Sequence, residues 1–324
     1  MDGKAKCLYS WKLEDTDPLP QGKRKCKSLR EKKREVRRNI DDGIVPYGGN
    51  LTVLQLTKKY ILQELPKLSI PYTIVVVNND STEEESKRLA KDCNLEYIAD
   101  DTSFDLIPKR RGYLIWSSDN LGYAKGNNKG VNFLNLLGHF THFLFSNDDI
   151  EIKQSNILNI LVEKMSKDKN IGAIGPRVVG LDGHDQSPHD SYVSPYRMIG
   201  WKMLPFLRRK NKHNDQSDLL KPVSRFTYWV QGSFMLVNAA VFNEVGMFDE
   251  NTFLYYEEPI LAEKMLQIGK RMYFDSDVEI VHYEGGSTKR NPKKEKIEME
   301  SRIYYMSKYK LVNKIVLFLL KHIL

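Results

Sequence analysis

Phe143-Leu144-Phe145-Ser146-Asn147-Asp148-Asp149-Ile150-Glu151-Ile152 brings acidic side chains to the end of an apolar run. Such a run reads as a buried strand. Carboxylates at its C-terminal edge suit a hard divalent cation, which in turn suits a phosphate.

Upstream, the pattern alternates between helix and strand. Val53, Leu56 and Tyr60 fall at helical spacing, as do Leu54, Ile61 and Leu65. Tyr72 to Val77 is an apolar, β-branched run closed by Asn78-Asn79-Asp80-Ser81. Ser81 or Thr82 is placed to cap a helix with Glu83, Glu84 and Glu85 in its first turn. Gly122 to Leu137 reads as a further helix before Thr141 to Phe145 returns as a strand. This alternation predicts an α/β domain with a largely parallel sheet. Ligands of such sheets sit beyond the strands' carboxyl ends, where Asn78-Asn79-Asp80 and Asn147-Asp148-Asp149 fall.

Downstream, residues 183 to 224 read as a long functional loop. Strand-like sequence resumes from Phe226 to Val237. A short helix over Ala239 to Val245, a turn at Gly246-Met247-Phe248-Asp249-Glu250, and a helix opened by Glu257-Glu258 and ending near Gly269 follow. Val278 to His282 is the last strand.

The 324 residues are 41% apolar and 28% charged, enough for one large domain or two small ones. Lys23 to Arg38 holds ten Lys/Arg against Glu31 and Glu35, which accounts for the whole formal charge of +8. The expectation is a basic arm over residues 1–41 on a neutral body: a solvated tail first, then attraction to anionic lipid, with nucleic acid last. Cys7, Cys26 and Cys93 are odd in number and lack CxxC spacing, which argues against a disulfide framework or a zinc site and favours a reducing, cytoplasmic setting. No apolar run reaches the length of a membrane span. Ile315 to Leu320, flanked by Lys314 and Lys321, leaves two readings, packing on the body or a helix lying at a membrane surface.

Seven short motifs occur in a recognisable order: Val77-Asn78-Asn79-Asp80-Ser81; Asn120-Leu121-Gly122-Tyr123-Ala124-Lys125-Gly126-Asn127-Asn128-Lys129-Gly130; Ser146-Asn147-Asp148-Asp149; Trp229-Val230-Gln231-Gly232-Ser233; Gly246-Met247-Phe248-Asp249-Glu250; Tyr256-Glu257-Glu258; and Val281-His282. Together they resemble the family 2 glycosyltransferases, nearest the rhamnosyltransferase-like and capsular polysaccharide members, over about residues 42–290. The resemblance implies a GT-A fold, a Rossmann-like, mostly parallel sheet with a fused acceptor-binding half. It also implies inverting transfer from a nucleotide-diphosphate sugar, dTDP-rhamnose or a UDP-sugar, to a hydroxyl of a growing polysaccharide or lipid-linked glycan, with Mg²⁺ or Mn²⁺ on the diphosphate. Residues 291–324, beyond the stretch the resemblance covers, read as a C-terminal helical segment that either packs on the body or lies at the membrane surface.

Such a reaction needs a cation, a base and a cleft that aligns donor and acceptor. By the resemblance, Asp149 holds the cation, with His282 near the diphosphate or metal, and Asn147 stands where the family often has Asp. Glu258 is the base, and Glu257 is the second catalytic candidate. Tyr47, Asn78, Asp80, Asn120, Gly122, Asn127, Asn147 and Asp148 line the nucleotide, while Trp229, Gln231 and Gly232 line the acceptor. Gly122 and Gly126 also read as plain turn residues, and Asp249 as structural. The front of the chain departs from the pattern: only Ile44, Val45 and Tyr47 keep a trace of the apolar strand that sits centrally in the family's sheet. That departure supports an alternative, a catalytically impaired nucleotide-sugar-binding protein.

Overall fold

The computed structural model describes residues 58–68, 72–79, 82–99, 112–192, 194–203, 223–283 and 292–323. Tyr47, Asp80, Ser81 and the basic arm lie outside the described residues, as does the trace of the first strand.

A wide helical turn over Tyr60–Glu64 and a tight one over Leu65–Lys67 lead into β1 (Ile74–Asn78), α1 (Glu83–Cys93), β2 (Glu96–Ile98) and β3 (Gly112–Trp116). Thr82 is the cap of α1: its hydroxyl accepts from the Glu85 N–H, and the Glu85 carboxylate accepts from the Thr82 N–H. Next come α2 (Gly122–Leu137), β4 (His142–Ser146), β5 (Ile150–Ile152), α3 (Ile157–Lys167) and β6 (Ile171–Gly180). α4 (Pro195–Met203) falls inside the stretch predicted to be loop. The predicted strand from Phe226 to Val237 is two strands, β7 (Arg225–Thr227) and β8 (Phe234–Asn238). α5 (Ala239–Glu244), α6 (Glu257–Gln267), β9 (Arg271–His282), α7 (Pro292–Lys308) and α8 (Lys314–Ile323) complete the described chain.

The strands form two sheets. β1, β3 and β2 pair in parallel in the order β1-β3-β2. The other six run β4-β8-β6-β9-β5, with β7 on β9, and only β6 and β9 pair in parallel. The expected α/β class holds, with its parallel pairing concentrated in the first sheet.

The two sheets share both of their apolar layers. Val75, Val77, Tyr113 and Ile115 pack with Phe143, Phe145, Met235 and Val237 on one face. Ile74, Val76 and Leu114 pack with Leu144, Leu236 and Ile174 on the other. They behave as two parts of one sheet, yet among the described residues β1 pairs only with β3 and β4 only with β8.

Candidate active site

The acidic strand end takes its geometry from strand register. β5 runs antiparallel to β9 with Ile150 opposite His282, and the Tyr283 N–H donates to the Asp149 carbonyl at 2.8 Å. Asp149, one residue before that pair, therefore faces the imidazole: its Oδ1 is 3.1 Å from His282 Nε2. Asn147 Nδ2 reaches the same Nε2 at 3.2 Å. The other ring nitrogen, Nδ1, is 2.6 Å from Gln186 Oε1, an atom that can only accept. Nδ1 thus carries a proton, by assignment from its partner. A neutral imidazole then has its lone pair on Nε2, facing a carboxylate oxygen. Two electron-rich atoms at that separation repel unless a proton or a cation lies between them. A carboxylate oxygen and an imidazole nitrogen facing each other are ligand types that a divalent cation accepts, so Asp149 and His282 fit as two of its ligands. Among the described residues no group of three or more His, Cys, Asp or Glu side chains surrounds a common point, so phosphate oxygens and water would complete the coordination.

Glu258 lies in the first turn of α6, where the helix dipole favours an anion. Its Oε1 accepts from the Gly232 N–H at 3.0 Å. A Cβ at position 232 would lie 2.3 Å from that oxygen and 2.8 Å from the Tyr123 hydroxyl, so a larger residue would push the carboxylate from this position. One residue on, the Ser233 carbonyl accepts from the Asn147 N–H at 2.9 Å. Adjacent residues of one chain thus touch the helix-borne carboxylate and the strand-end cluster. The turn before α6 is strained: Tyr255 and Tyr256 have φ of 73° and 71°, which for bulky residues costs about 1–3 kcal/mol each. Glu257 is buried beside Glu258.

The remaining predicted residues divide by partner. Trp229 has His189 stacked on one indole face, with centroids 3.5 Å apart and planes 9° from parallel. His189 Nε2 and Gln231 Oε1 are 3.3 Å apart. Burial holds the His189 pKa below its ordinary value, only partly offset by the Gln231 hydrogen bond and the charge of Glu258, so the ring is neutral at pH 7. Asn120 Oδ1 accepts from the Gly122 N–H at 3.0 Å, shaping the turn into α2. Gly122 has φ +70°, and a Cβ there would meet the Phe253 carbonyl at 2.2 Å. Asn78, at the end of β1, donates to Ser86 Oγ at 3.0 Å, and Asn127 donates to the Tyr123 carbonyl of its own helix at 2.9 Å. Asn128 has a structural task, donating to the Phe248 carbonyl and accepting from the Phe248 N–H. Asp148 is half-buried next to the cluster.

Sequence reasoning missed Gln186 and His189. Both sit on a strap that folds back on β6, where the Gln186 N–H donates to the Val178 carbonyl at 2.8 Å. Asp190 pins the strap, accepting from Arg225 through both carboxylate oxygens and from the Thr227 hydroxyl. The one available signal was a dense run of polar and imidazole side chains, His184, Asp185, Gln186, Ser187, His189 and Asp190, in otherwise irregular sequence.

Fold and site together define an α/β protein in which an acid-tipped strand end meets a carboxylate at a helix start. Its curated relatives include glycosyltransferases: the low-salt glycan biosynthesis hexosyltransferase Agl10 of Haloferax volcanii, 34% identical over 149 residues (45% of this chain, 43% of the relative), and an N-acetylglucosaminyl-diphospho-decaprenol L-rhamnosyltransferase of Mycobacterium tuberculosis, 26% identical over 156 residues (46% and 49%). The resemblance drawn from the motifs is thus shared with named hexosyl- and rhamnosyltransferases. The chain spans about half the length of these relatives in the matched stretches. A solved mannosyltransferase from Pyrobaculum calidifontis, in complex with GDP-Man and Mn²⁺, aligns at 13% identity over 81% of this chain and 64% of that one, with a TM-score of 0.46. Residues 1–40 match a different family model, the DNA binding domain of Tn916 integrase. The transposase from transposon Tn916 of Enterococcus faecalis is 47% identical over 66 residues, 20% of this chain and 16% of its own. A basic run by itself does not distinguish a solvated tail from a nucleic-acid-binding domain.

Proposed function

We propose that the chain is an inverting family 2 glycosyltransferase of the GT-A type. It moves a hexosyl or rhamnosyl group from a nucleotide-diphosphate sugar to a hydroxyl of a polysaccharide or lipid-linked glycan, and works peripherally on the inner face of the cell membrane. One observation carries this reading: Gly232 holds the Glu258 carboxylate while its neighbour Ser233 holds Asn147 of the strand-end cluster. With Oε1 fixed by the Gly232 N–H, Oε2 is the atom that takes the acceptor hydroxyl's proton. Asp149 and His282 would hold Mg²⁺ or Mn²⁺, which neutralises the departing diphosphate. Asn147 and Gln186 keep the imidazole in place, and the His189–Trp229 pair gives the acceptor an aromatic wall. Asn120 and Gly122 shape the loop that approaches the nucleotide, joined by Asn78, Asn127 and Asp148. Tyr47 and Asp80 keep their nucleotide-binding assignment by resemblance alone.

The test is transfer or hydrolysis across a panel of dTDP- and UDP-sugars, with and without divalent metal. Metal-dependent turnover that Asp149→Ala and Glu258→Gln each abolish, with unchanged circular dichroism, is the expected result. Wild-type turnover in both variants would sink the assignment. The departure of the front of the chain from the family pattern, with only Ile44, Val45 and Tyr47 keeping a trace of the first strand, motivates one second reading, a nucleotide-sugar-binding protein with impaired chemistry. Thermal stabilisation by a nucleotide sugar without turnover identifies that case.

For residues 1–40 the likeness to an integrase's DNA-binding domain supports a separate nucleic-acid contact made by the arm. Duplex binding should weaken steeply with salt. Binding indifferent to salt, or retained after charge reversal of Lys23, Arg24 and Lys25, would refute it.

A further inference from the structure

α8 is apolar on two faces, and the body uses only one. Leu317 and Leu320 are buried against Tyr305, Met306 and Ile260, while Ile315 and Phe318 stay 69% and 61% exposed and the preceding Leu311 84%. α4 packs alongside α8. It turns Met198 and Ile199 toward the same core and leaves Tyr196 and Met203 63% and 65% exposed. Two neighbouring helices therefore present large apolar side chains outward. Neither helix contains an acidic residue, and their exposed charges are Arg197, Lys202, Lys314 and Lys321. At nine and ten residues they are far too short to cross a bilayer, and no described helix is long and apolar enough to do so.

We propose that α4 and α8 form one membrane-docking face that lies in the plane of an anionic lipid surface, its aromatic and aliphatic side chains in the headgroup boundary and its cations on lipid phosphates. The occupant is lipid because the face joins exposed apolar area to positive charge, with no acidic side chain on either helix. A second copy of the chain would bring the same four cations against these four. The inference gives the membrane contact of the proposed function a location and rests on that reading for its purpose. Vesicle binding is measured without donor sugar, however, so loss of docking and loss of transfer are separate results.

The experiment uses the full chain with vesicles of phosphatidylcholine alone or mixed with phosphatidylglycerol, read by co-sedimentation. Wild-type protein should partition onto the mixed vesicles. The double variant Ile315→Ser/Phe318→Ser should bind them about tenfold more weakly. Lys314→Glu/Lys321→Glu should erase the preference for phosphatidylglycerol. All four side chains are exposed, so circular dichroism should be unchanged in both variants. Undiminished binding by both would overturn the proposal and assign any affinity to the basic arm. So would a concentration-dependent dimer in sedimentation velocity that Ile315→Ser/Phe318→Ser abolishes.

Discussion

The two acidic ends of the candidate site are held by opposite means. Asp149 sits at a strand end, and a side-chain relay running Gln186, His282, Asn147 fixes what surrounds it. Glu258 sits at a helix start and is held by a backbone N–H, at a glycine that no larger residue can replace without moving the carboxylate. A side-chain relay can be retuned by substitution, and its loss changes affinity for what it binds. A backbone N–H cannot be retuned by substitution, so on the proposed mechanism displacing the carboxylate from it bears on the chemical step.

Gly232→Ala should therefore break the base side alone. Displacing Glu258 should lower kcat by about 10²–10³, near the full value of a general base, with donor KM and Mn²⁺ affinity unchanged. Gly200→Ala is the control, because a Cβ there meets nothing within 4 Å. Equal losses in both variants, or a raised KM with intact kcat for Gly232→Ala, would remove the cradle from the mechanism.

Gln186→Ala should break the other side and leave the chemical step in proportion to bound metal. Without its acceptor the imidazole can change tautomer, and Mn²⁺ affinity, read by electron paramagnetic resonance without donor sugar, should fall about tenfold. Gln186→Glu keeps an oxygen acceptor for the Nδ1 proton and should restore binding. An unchanged affinity in Gln186→Ala would show that the relay does not orient the metal ligand.

The contrast also separates what the sequence shows from what it hides. The acidic strand end and the Glu-Glu helix start were legible, because apolar runs and helix-start acids are local patterns. The residues that hold them were not. Gln186 and His189 lie in a strap with no periodicity, brought to the site by pairing with β6 and by the Asp190–Arg225 ion pair. Gly232 was expected at the acceptor, and its N–H to Glu258 depends on a separation of twenty-six residues that no spacing rule encodes. In the fold, α4 was missed inside the irregular stretch and β9 begins at Arg271, earlier than expected, because its first half pairs with β6 and β7.

Asp249 distinguishes the two sides by stability. Its Oδ2 accepts from the Tyr304 hydroxyl at 2.8 Å, the Lys308 ammonium at 3.0 Å and the Tyr309 hydroxyl at 2.5 Å, tying the turn that Asn128 clamps to α7. Burial alone would raise its pKa, but the hydrogen bonds from Tyr309, Asn251 and Lys308 outweigh it and hold the carboxyl far below the ordinary Asp range. A folded pKa below the unfolded one means stability that is fully present above the ordinary Asp value and lost as pH falls below it toward the folded pKa. Asp249→Asn should thus cost about 1–3 kcal/mol at pH 7. The melting-temperature gap to wild type should narrow as pH drops from about 5 to about 3, across the ordinary Asp pKa. Since these bonds support the turn that precedes Glu258 and touch nothing around His282, Mn²⁺ affinity should stay at the wild-type level. A gap that widens in acid, or a metal affinity that falls with it, would mean that the two ends of the site are not held independently.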